Sequence, residues 1–256
     1  MTNILPSTCK ENPFYFIIQA RLSSKRLPEK VLKNIGSQNL LDHIIYRLTK
    51  IADKKNIIAA IPYGDDKLEK YFIENEIQTV NGDNKNVLSR FLLASQKIPD
   101  SSYIFRITGD NPFIDINAIN LLYKHLLIKK ADYSYTQNMP LGMGCEAFKK
   151  KALMNLNNEI LLPHHKEHVT IYFRENSEKF RIAPLKMYKT NYAEIIRMTV
   201  DQNEDLKMAE KTYEYFQKQN LPRFGASEVI ELFNTNREFF NWNNHISQNS
   251  ALVYEK

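Results

Sequence analysis

The stretch Gln19-Ala20-Arg21-Leu22-Ser23-Ser24-Lys25-Arg26-Leu27-Pro28-Glu29-Lys30 decides how this chain is interpreted. It follows an apolar run that predicts a buried strand at 14–19, and it precedes an amphipathic segment that starts near Leu40. The loop between them carries four basic side chains and one acid. An ordinary solvated basic loop is one interpretation. A loop that binds several negative charges at once, such as those of a nucleoside triphosphate, is the other.

Strands and helices are predicted to alternate along most of the chain, whereas 131–165 is less regular. Apolar residues on one helical face predict helices, and short apolar runs bounded by Pro or Gly predict strands. This alternation predicts a mostly parallel sheet covered by helices on both faces, with ligands at the carboxyl ends of its strands. The later predicted strands are 57–61, 77–80 and 103–108, and the predicted helices are 39–51, 65–75, 86–97, 116–129, 166–176, 203–218 and 226–236, the last capped by Ser227.

Composition limits the class of protein. A chain of 256 residues that is 43% hydrophobic suits one large α/β domain or a domain with an appendage. The net charge of +6 fits a Lys-rich surface or polyanionic small molecules, and no arginine–aromatic cluster indicates nucleic-acid binding. The apolar runs are too short to span a membrane, the first ten residues lack a secretory pattern, and two isolated cysteines suit a reducing compartment. We therefore expect a cytoplasmic protein.

Two further segments place acids where strands end. In 106–112 (Arg-Ile-Thr-Gly-Asp-Asn-Pro), Asp110 projects from a strand tip, although such an Asp taken alone favours an Asx turn. In 197–206 (Arg-Met-Thr-Val-Asp-Gln-Asn-Glu-Asp-Leu), Asp201 precedes two acids that would open the next helix and interact well with its dipole. The seven glycines form neither a dinucleotide fingerprint nor a phosphate loop, so side-chain cations and a few backbone amides would have to bind a triphosphate.

Together these three segments resemble the motifs of the cytidylyltransferases that activate acidic sugars. These include the CMP-ketodeoxyoctonate and CMP-sialate synthetases and, more closely, the spore-coat polysaccharide type. The first motif contains Ala-Arg, a small residue before Ser, and Arg-Leu-Pro-x-Lys; only Ser23, where Gly, Ala or Asn is usual, departs mildly from it, and the matching residues are Ala20, Arg21, Ser24, Arg26, Leu27, Pro28 and Lys30. The second resembles Gly-Asp-x-Pro, and the third resembles Val-Asp-x-x-Glu-Asp-Leu. The resemblance extends from about residue 14 to 245.

The resemblance implies a nucleotide-diphospho-sugar transferase-like (Rossmann-like) fold. This is a three-layer α/β sandwich with a mostly parallel sheet and a C-terminal helical appendage. We assign 14–220 to the nucleotidyltransferase domain, 221–256 to the appendage and 1–13 to a loose N-terminal leader.

The resemblance also implies a reaction. CTP and a nonulosonate-like sugar acid would give a CMP-sugar and pyrophosphate, for surface polysaccharide or glycan biosynthesis. Asp110 and Asp201 would hold Mg²⁺ together with phosphate oxygens and water. Arg21 and Lys30 would offset charge on the departing phosphates. The candidate catalytic residues are therefore Arg21, Lys30, Asp110 and Asp201. The candidate nucleotide-binding residues are Ala20, Arg21, Ser23, Ser24, Arg26, Lys30, Arg90 and Asp110.

Arg90 comes from a fourth motif, 86–91 (Asn-Val-Leu-Ser-Arg-Phe), which resembles Asp-Val-Leu-x-Arg-Phe near the family's nucleoside pocket. Asn86 stands where the family has Asp, so a charge-dependent role there is not carried over.

Candidate acceptor-binding residues come from two further resemblances. Segment 163–170 resembles Arg-Glu-His-Val-Thr, with Lys in the Arg position, and offers Glu167 and His168. His168 would orient the acceptor or assist its deprotonation, or would be a buried hydrogen-bonded histidine. Glu146 matches the Glu of Gly-Leu-Asp-Val-Glu-x-Phe, although Gly144 replaces the Asp.

Several alternatives stay open. A phosphorylated sugar or alcohol as acceptor would give a CDP or other NDP product. A glycosyltransferase on the same fold would normally carry Asp-x-Asp where this chain has Asp-Asn-Pro. A non-catalytic nucleotide-binding protein is a third possibility. His164-x-x-Glu167-His168 also fits an inverted zinc-protease signature, without an identifiable third ligand. We expect CTP and an acidic acceptor as partners and neither nucleic acid nor membrane. Homodimers are common among the family's members.

Overall fold

The computed structural model describes residues 12–246. Most of the leader predicted at 1–13 and the end of the predicted appendage therefore lie outside the described residues. Within the described range, no helix is both long enough and apolar enough to cross a membrane.

The strands form a central seven-stranded sheet and a separate two-stranded ribbon. Their bounds in chain order are β1 Phe14–Gln19, β2 Asn34–Ile35, β3 Gln38–Asn39, β4 Ile57–Pro62, β5 Gln78–Gly82, β6 Tyr103–Thr108, β7 Tyr133–Gln137, β8 Glu146–Lys149 and β9 Leu185–Lys186. The sheet order is β5-β4-β1-β6-β8-β7-β9, and β2 pairs with β3. The first four strands of that order are parallel, whereas β8 is antiparallel to both β6 and β7.

Helices cover both faces of this sheet. Their bounds are α1 Leu40–Leu48, α2 Asp66–Glu74, α3 Val87–Ser95, α4 Ile116–Lys129, α5 Lys150–Asn155, α6 Pro163–His168, α7 Ile171–Glu175, α8 Asn203–Lys218 and α9 Ala226–Thr235. Successive residues of β1 belong to different hydrophobic clusters, because side chains alternate across a strand. Phe16 and Ile18 pack with α1, α4 and α8, whereas Ile17 packs with α3, α5 and α7. The predicted three-layer sandwich with its mostly parallel sheet is confirmed.

The predicted helix at 166–176 is wrong as a single element. The chain forms α6 and α7 instead, because Val169 between them has φ 59° and ψ −55°. A β-branched residue in that region is a genuine backbone outlier. It lies directly after His168, one of the predicted acceptor-binding residues.

The predicted Ser227 cap is also wrong. Gly225 occupies the N-cap of α9, and the first helical amide, on Ala226, donates to Asp115 Oδ2 at 2.6 Å. The Ser227 hydroxyl instead donates to Glu228. The same Asp115 caps α4 by accepting from Ala118 N at 2.8 Å, so one buried acid joins the two helices. The C-terminal segment shares the core of the sheet domain through α9, and the domain boundary at 220 stays a prediction.

Candidate active site

The basic loop after β1 is organised around one backbone carbonyl. Leu22 O accepts from Ser24 N at 2.8 Å and from Glu29 N at 3.1 Å. Leu22 N donates to Asp65 Oδ2 at 3.0 Å, which ties the loop to the end of β4. Leu27 is buried beneath it, whereas most of the cations face solvent. The loop therefore has a defined shape that holds its cations outward.

Close backbone contact brings this loop to the end of β6. Gly109 N donates to Gln19 O at 2.9 Å. A Cβ atom at Gly109 would lie 3.1 Å from Val31 Cγ1 and 3.2 Å from Ala20 Cβ, which is tighter than ordinary packing. Glycine at 109 thus lets the β1 loop and Asp110 share one edge of the sheet, where ligands bind in folds of this kind.

Lys30 joins the two predicted metal ligands. Its Nζ lies 2.8 Å from Asp110 Oδ2 and 2.8 Å from Asp201 Oδ1, so the two carboxylate oxygens are at most twice that distance apart. Arg26 Nη2 lies 3.0 Å from the same Asp201 oxygen. Burial alone would raise the pKa of Asp110, but the charge and hydrogen bond of Lys30 outweigh it and hold that pKa below its usual value. Burial opposes the charge of Lys30, yet the two carboxylates raise its pKa.

Backbone pairing explains how acids 91 positions apart meet. Val200 N donates to Asp110 O at 2.8 Å, so the segment before Asp201 runs alongside the end of β6. Leu141 holds the same segment through Leu141 N to Ile196 O at 2.9 Å and Met198 N to Leu141 O at 2.8 Å. The structure brings the two aspartates and the cationic loop together, as the sequence predicts.

Arg197 orients Asp201. Its Nη2 lies 2.9 Å from Asp201 Oδ2, and its guanidinium binds Asp205 at 2.8 and 3.1 Å. Asp205 is 1% exposed and accepts from Asp201 N at 3.0 Å, which makes it part of the scaffold at the start of α8. Asp201 thus keeps one oxygen on Arg197 and turns the other towards Asp110.

The two carboxylates fit a divalent cation. Their oxygens already converge on one positive centre, the Lys30 ammonium, and both side chains stay partly exposed, at 28% for Asp110 and 18% for Asp201. Oxygen ligands from one or two carboxylates, completed by phosphate oxygens and water, are what Mg²⁺ prefers. Asp110 and Asp201 are the residues that would hold it.

The remaining predicted nucleotide-binding residues lie around the ends of β1, β4 and β5. Arg21 and Ser23 are exposed, Ser24 is half-buried and Ala20 is buried in the loop base. Arg90 on α3 is 2% exposed; its Nη1 donates to Ala60 O at 3.2 Å, and its Nε has no partner among the described residues. Burial, and then the charge of Arg21, lower the pKa of Arg90 to about 10. A buried cation with an unsatisfied donor is thus positioned beside the basic loop.

The predicted acceptor residues separate into two groups. Glu146 lies on β8 opposite Arg106, whose Nη1 donates to it at 2.5 Å, and it also accepts from Tyr133 OH at 2.6 Å. His168 is half-buried, and burial lowers its pKa against the opposing charge of the neighbouring Glu167, while Arg106 and Glu146 act on it more weakly. The structure therefore brings Glu146 and His168 into one electrostatic neighbourhood. Glu167 is exposed.

The inverted zinc-protease interpretation is wrong. In residues 12–246, the one group of three or more His, Cys, Asp and Glu side chains close enough to share an ion is His164, His165 and Glu175, which omits Glu167 and His168. His165 Nδ1 accepts from Leu162 N at 3.0 Å, so Nε2 of the neutral ring carries the proton and donates to Glu175 at 2.6 Å. Nδ1 thus caps the start of α6, and Nε2 holds α6 to α7.

Comparison with known proteins identifies the family. The family model described as Cytidylyltransferase matches residues 15–254. This chain belongs to the cytidylyltransferase family. It is 33% identical over 232 residues to the "Spore coat polysaccharide biosynthesis protein SpsF" of Bacillus subtilis (strain 168), a match that covers 88% of this chain and 95% of that protein.

Solved structures agree with the fold of a cytidylyltransferase. A cytidylyltransferase from Leptospira borgpetersenii has a TM-score of 0.80 and 26% identity, covering 92% of this chain and 99% of the other. A CMP:2-keto-3-deoxy-manno-octonic acid synthetase complexed with CTP has a TM-score of 0.60 and 14% identity, covering 79% and 98%, which is a likeness of fold alone. The resemblance drawn from the three motifs is therefore confirmed.

Three residues around the site of this cytidylyltransferase were missed from the sequence: Asp65, Arg106 and Arg197. Asp65 fixes the basic loop through Leu22 N, a contact for which the sequence gives no signal. The sequence does give a signal for Arg106 and Arg197. Each lies four positions before a predicted metal ligand, at the head of a motif and beside apolar residues, where a charge needs a partner.

Proposed function

We propose that this protein is a cytidylyltransferase that transfers CMP from CTP to a sugar acid and releases pyrophosphate. The observation that carries the proposal is the meeting of Asp110 and Asp201 at one cationic point beside the basic loop, with Lys30 Nζ 2.8 Å from each. The name of the Bacillus subtilis relative supports a role in polysaccharide biosynthesis. The solved synthetase complexed with CTP supports the choice of nucleotide.

The acceptor hydroxyl attacks the α-phosphorus in line with the leaving pyrophosphate. An O–P bond forms, the bond between the α-phosphorus and its bridging oxygen breaks, and the hydroxyl proton is released. Mg²⁺ bound to Asp110 and Asp201 would polarise the α-phosphate and neutralise charge that develops on the phosphates. Arg21, Arg26 and Lys30 hold the β and γ phosphates, and backbone amides near Ser23 and Ser24 add donors.

His168 is the proposed proton acceptor or orienting group for the acceptor hydroxyl. Its pKa lies below the usual histidine value, first because of burial, so the ring is neutral at pH 7 and able to accept a proton. Arg90 is the proposed contact for the nucleoside, because its unsatisfied Nε is a donor that a base or ribose oxygen would complete.

The test is pyrophosphate release with each of four nucleoside triphosphates against a panel of acidic sugars and sugar phosphates. We expect CTP with an acidic sugar to be the preferred pair, and preference for another triphosphate would contradict the proposal. With CTP labelled at the α-phosphate, a product with one phosphorus indicates a sugar acid acceptor. A product with two would show that a phosphorylated acceptor is used instead.

Two variants test the metal ligands directly. Asp110→Asn and Asp201→Asn should each lower turnover at least about 100-fold, because each removes a charged ligand worth several kcal/mol in the transition state. Glu204→Gln is the matched control: this exposed acid lies in the same motif as Asp201, and we expect wild-type turnover. Wild-type rates in either aspartate variant would refute the ligand role.

We also propose a cytoplasmic location, a homodimer and the division into a 14–220 domain and a 221–256 appendage. Cell fractionation, sedimentation analysis and limited proteolysis test these three predictions. A monomer at micromolar concentration, or one proteolytic core that includes α9, would contradict the second and third.

A further inference from the structure

Arg174 on α7 holds its guanidinium against the face of the sheet that carries Glu146. Its Cζ lies 4.0 Å from the centre of the Tyr135 ring, and its Nε donates to Tyr133 OH at 3.0 Å. Stacking and one hydrogen bond fix the plane of the group. The Nε proton is the one guanidinium donor of Arg174 with a hydrogen-bond partner among the described residues.

Glu146 does not use the remaining donors. It already accepts from Arg106 Nη1 at 2.5 Å and from Tyr133 OH at 2.6 Å. Arg174 Nη2 lies 3.7 Å from its nearer oxygen, which is beyond hydrogen-bond distance. Two arginines therefore face one carboxylate, and the cluster carries one positive charge in excess.

The cluster adjoins the proposed active site. Arg106 and Thr108 alternate along the end of β6, so their side chains share one face of the sheet, and Asp110 follows two residues after the strand ends. Arg106 Nε also donates to Gln19 Oε1 at 2.8 Å, at the point where β1 enters the basic loop. Arg174 is 29% exposed, compared with 13% for Arg106 and 14% for Glu146, so it is the cation of this cluster most open to a ligand.

We propose that Arg174 is a specificity-determining residue that binds the carboxylate of the acceptor. One excess charge matches a carboxylate monoanion, whereas a phosphate dianion would leave a negative charge without a partner in a poorly solvated site. The planar fork suits the two oxygens of a carboxylate, and Tyr135 holds that fork in place before the ligand arrives. This inference rests on the proposed function and selects between its two acceptor classes.

The test is direct binding, measured by titration calorimetry without turnover. The probes are 3-deoxy-manno-octulosonate, N-acetylneuraminate, the C1 amide of each and glucose 1-phosphate. We expect wild-type protein to bind at least one of the acids, and Arg174→Met to weaken that binding about 30-fold, because a charge-assisted bidentate contact is lost. The amide should bind equally to both proteins. In a separate pyrophosphate-release assay, the KM for CTP should not change.

Two controls separate recognition from folding. Lys179→Met removes another cation that lies over a tyrosine ring, at 5.5 Å from Tyr172, and should leave acid binding unchanged. Arg174→Lys keeps the charge without the fork, and we expect binding about tenfold weaker than wild type.

Four results would each overturn the inference. These are wild-type affinity for the acid in Arg174→Met, equal weakening of acid and amide, tighter binding of glucose 1-phosphate than of either acid, and no binding of either acid by the wild type. Failure of the proposed function has a different signature. Acid binding would then depend on Arg174 while no triphosphate released pyrophosphate.

Discussion

Replacing Lys30 with Met tests whether the two aspartates form a cation site. The change removes the only ammonium that contacts both carboxylates, among the residues described, and leaves their oxygens at most twice 2.8 Å apart. Two unit charges at that spacing repel by about 3 kcal/mol at an effective dielectric constant of 20. Arg26 and Arg197 still hold Asp201, so we expect a loss of about 1–3 kcal/mol in the free energy of unfolding.

The assay is thermal unfolding in EDTA and in millimolar Mg²⁺. A loss of about 2 kcal/mol corresponds to a melting temperature roughly 4–8 °C lower for a chain of this size. Mg²⁺ should restore most of that loss in the variant and raise the melting temperature of wild type less, because in wild type the ion competes with Lys30. If Lys30 only bound the triphosphate, replacing it would not change how much Mg²⁺ raises the melting temperature.

Lys67→Met is the matched control. Lys67 pairs with Glu29 at 2.6 Å, but both side chains are more than half exposed, so the pair contributes little. If Lys30→Met melts like wild type in EDTA, or if Mg²⁺ stabilises both proteins equally, the two aspartates do not form the cation site.

Three further changes test other parts of the structure. Gly82→Ala would place a methyl 2.7 Å from Arg90 Cγ and displace that side chain, so the KM for CTP should rise about tenfold while the KM for the acceptor does not change. Glu146→Gln should flatten the acid side of the stability–pH curve. Burial would raise the pKa of Glu146, but its arginine partners lower that pKa. The ionised form therefore stabilises the fold above pH 4.5, and that contribution is lost as the pH falls through the lowered pKa. A pH profile in urea unfolding that is identical for both proteins would contradict this. Asp115→Ala should lower the free energy of unfolding in urea by about 2–4 kcal/mol, because it uncaps both α4 and α9. Ser227→Ala should lower it by less than about 0.5 kcal/mol, and equal losses would refute the assignment of the cap to Asp115.

Most of the parallel half of the sheet could be predicted because β1, β4 and β6 are largely buried on both sides. All six residues of β4 are buried, and such apolar runs are recognisable without knowing their neighbours. β7 and β8 could not be predicted in this way. They pair antiparallel within 131–165 and present Tyr135 and Glu146 beside each other, so their pattern is short and half polar.

Site residues could be predicted where a single motif contains both the residue and the local pattern that positions it. Asp110 at a strand tip and the cations of the basic loop are examples. The contacts that bring Asp201 to Asp110 are backbone hydrogen bonds through Val200 and Leu141, which leave no trace in residue types. Arg174 was missed for a related reason. The backbone of Val169 breaks the predicted helix, and Arg174 acquires its aromatic and tyrosyl partners from a different part of the chain.

The most direct test of the account is a crystal structure of the protein with Mn²⁺ and CTP, measured at a wavelength where manganese scatters anomalously. The account predicts an anomalous peak that contacts carboxylate oxygens of both Asp110 and Asp201, with the triphosphate extending towards Arg21 and with Lys30 moved from between the two acids onto a phosphate. A triphosphate bound elsewhere, or a peak at His164, His165 and Glu175 with none between the aspartates, would contradict it.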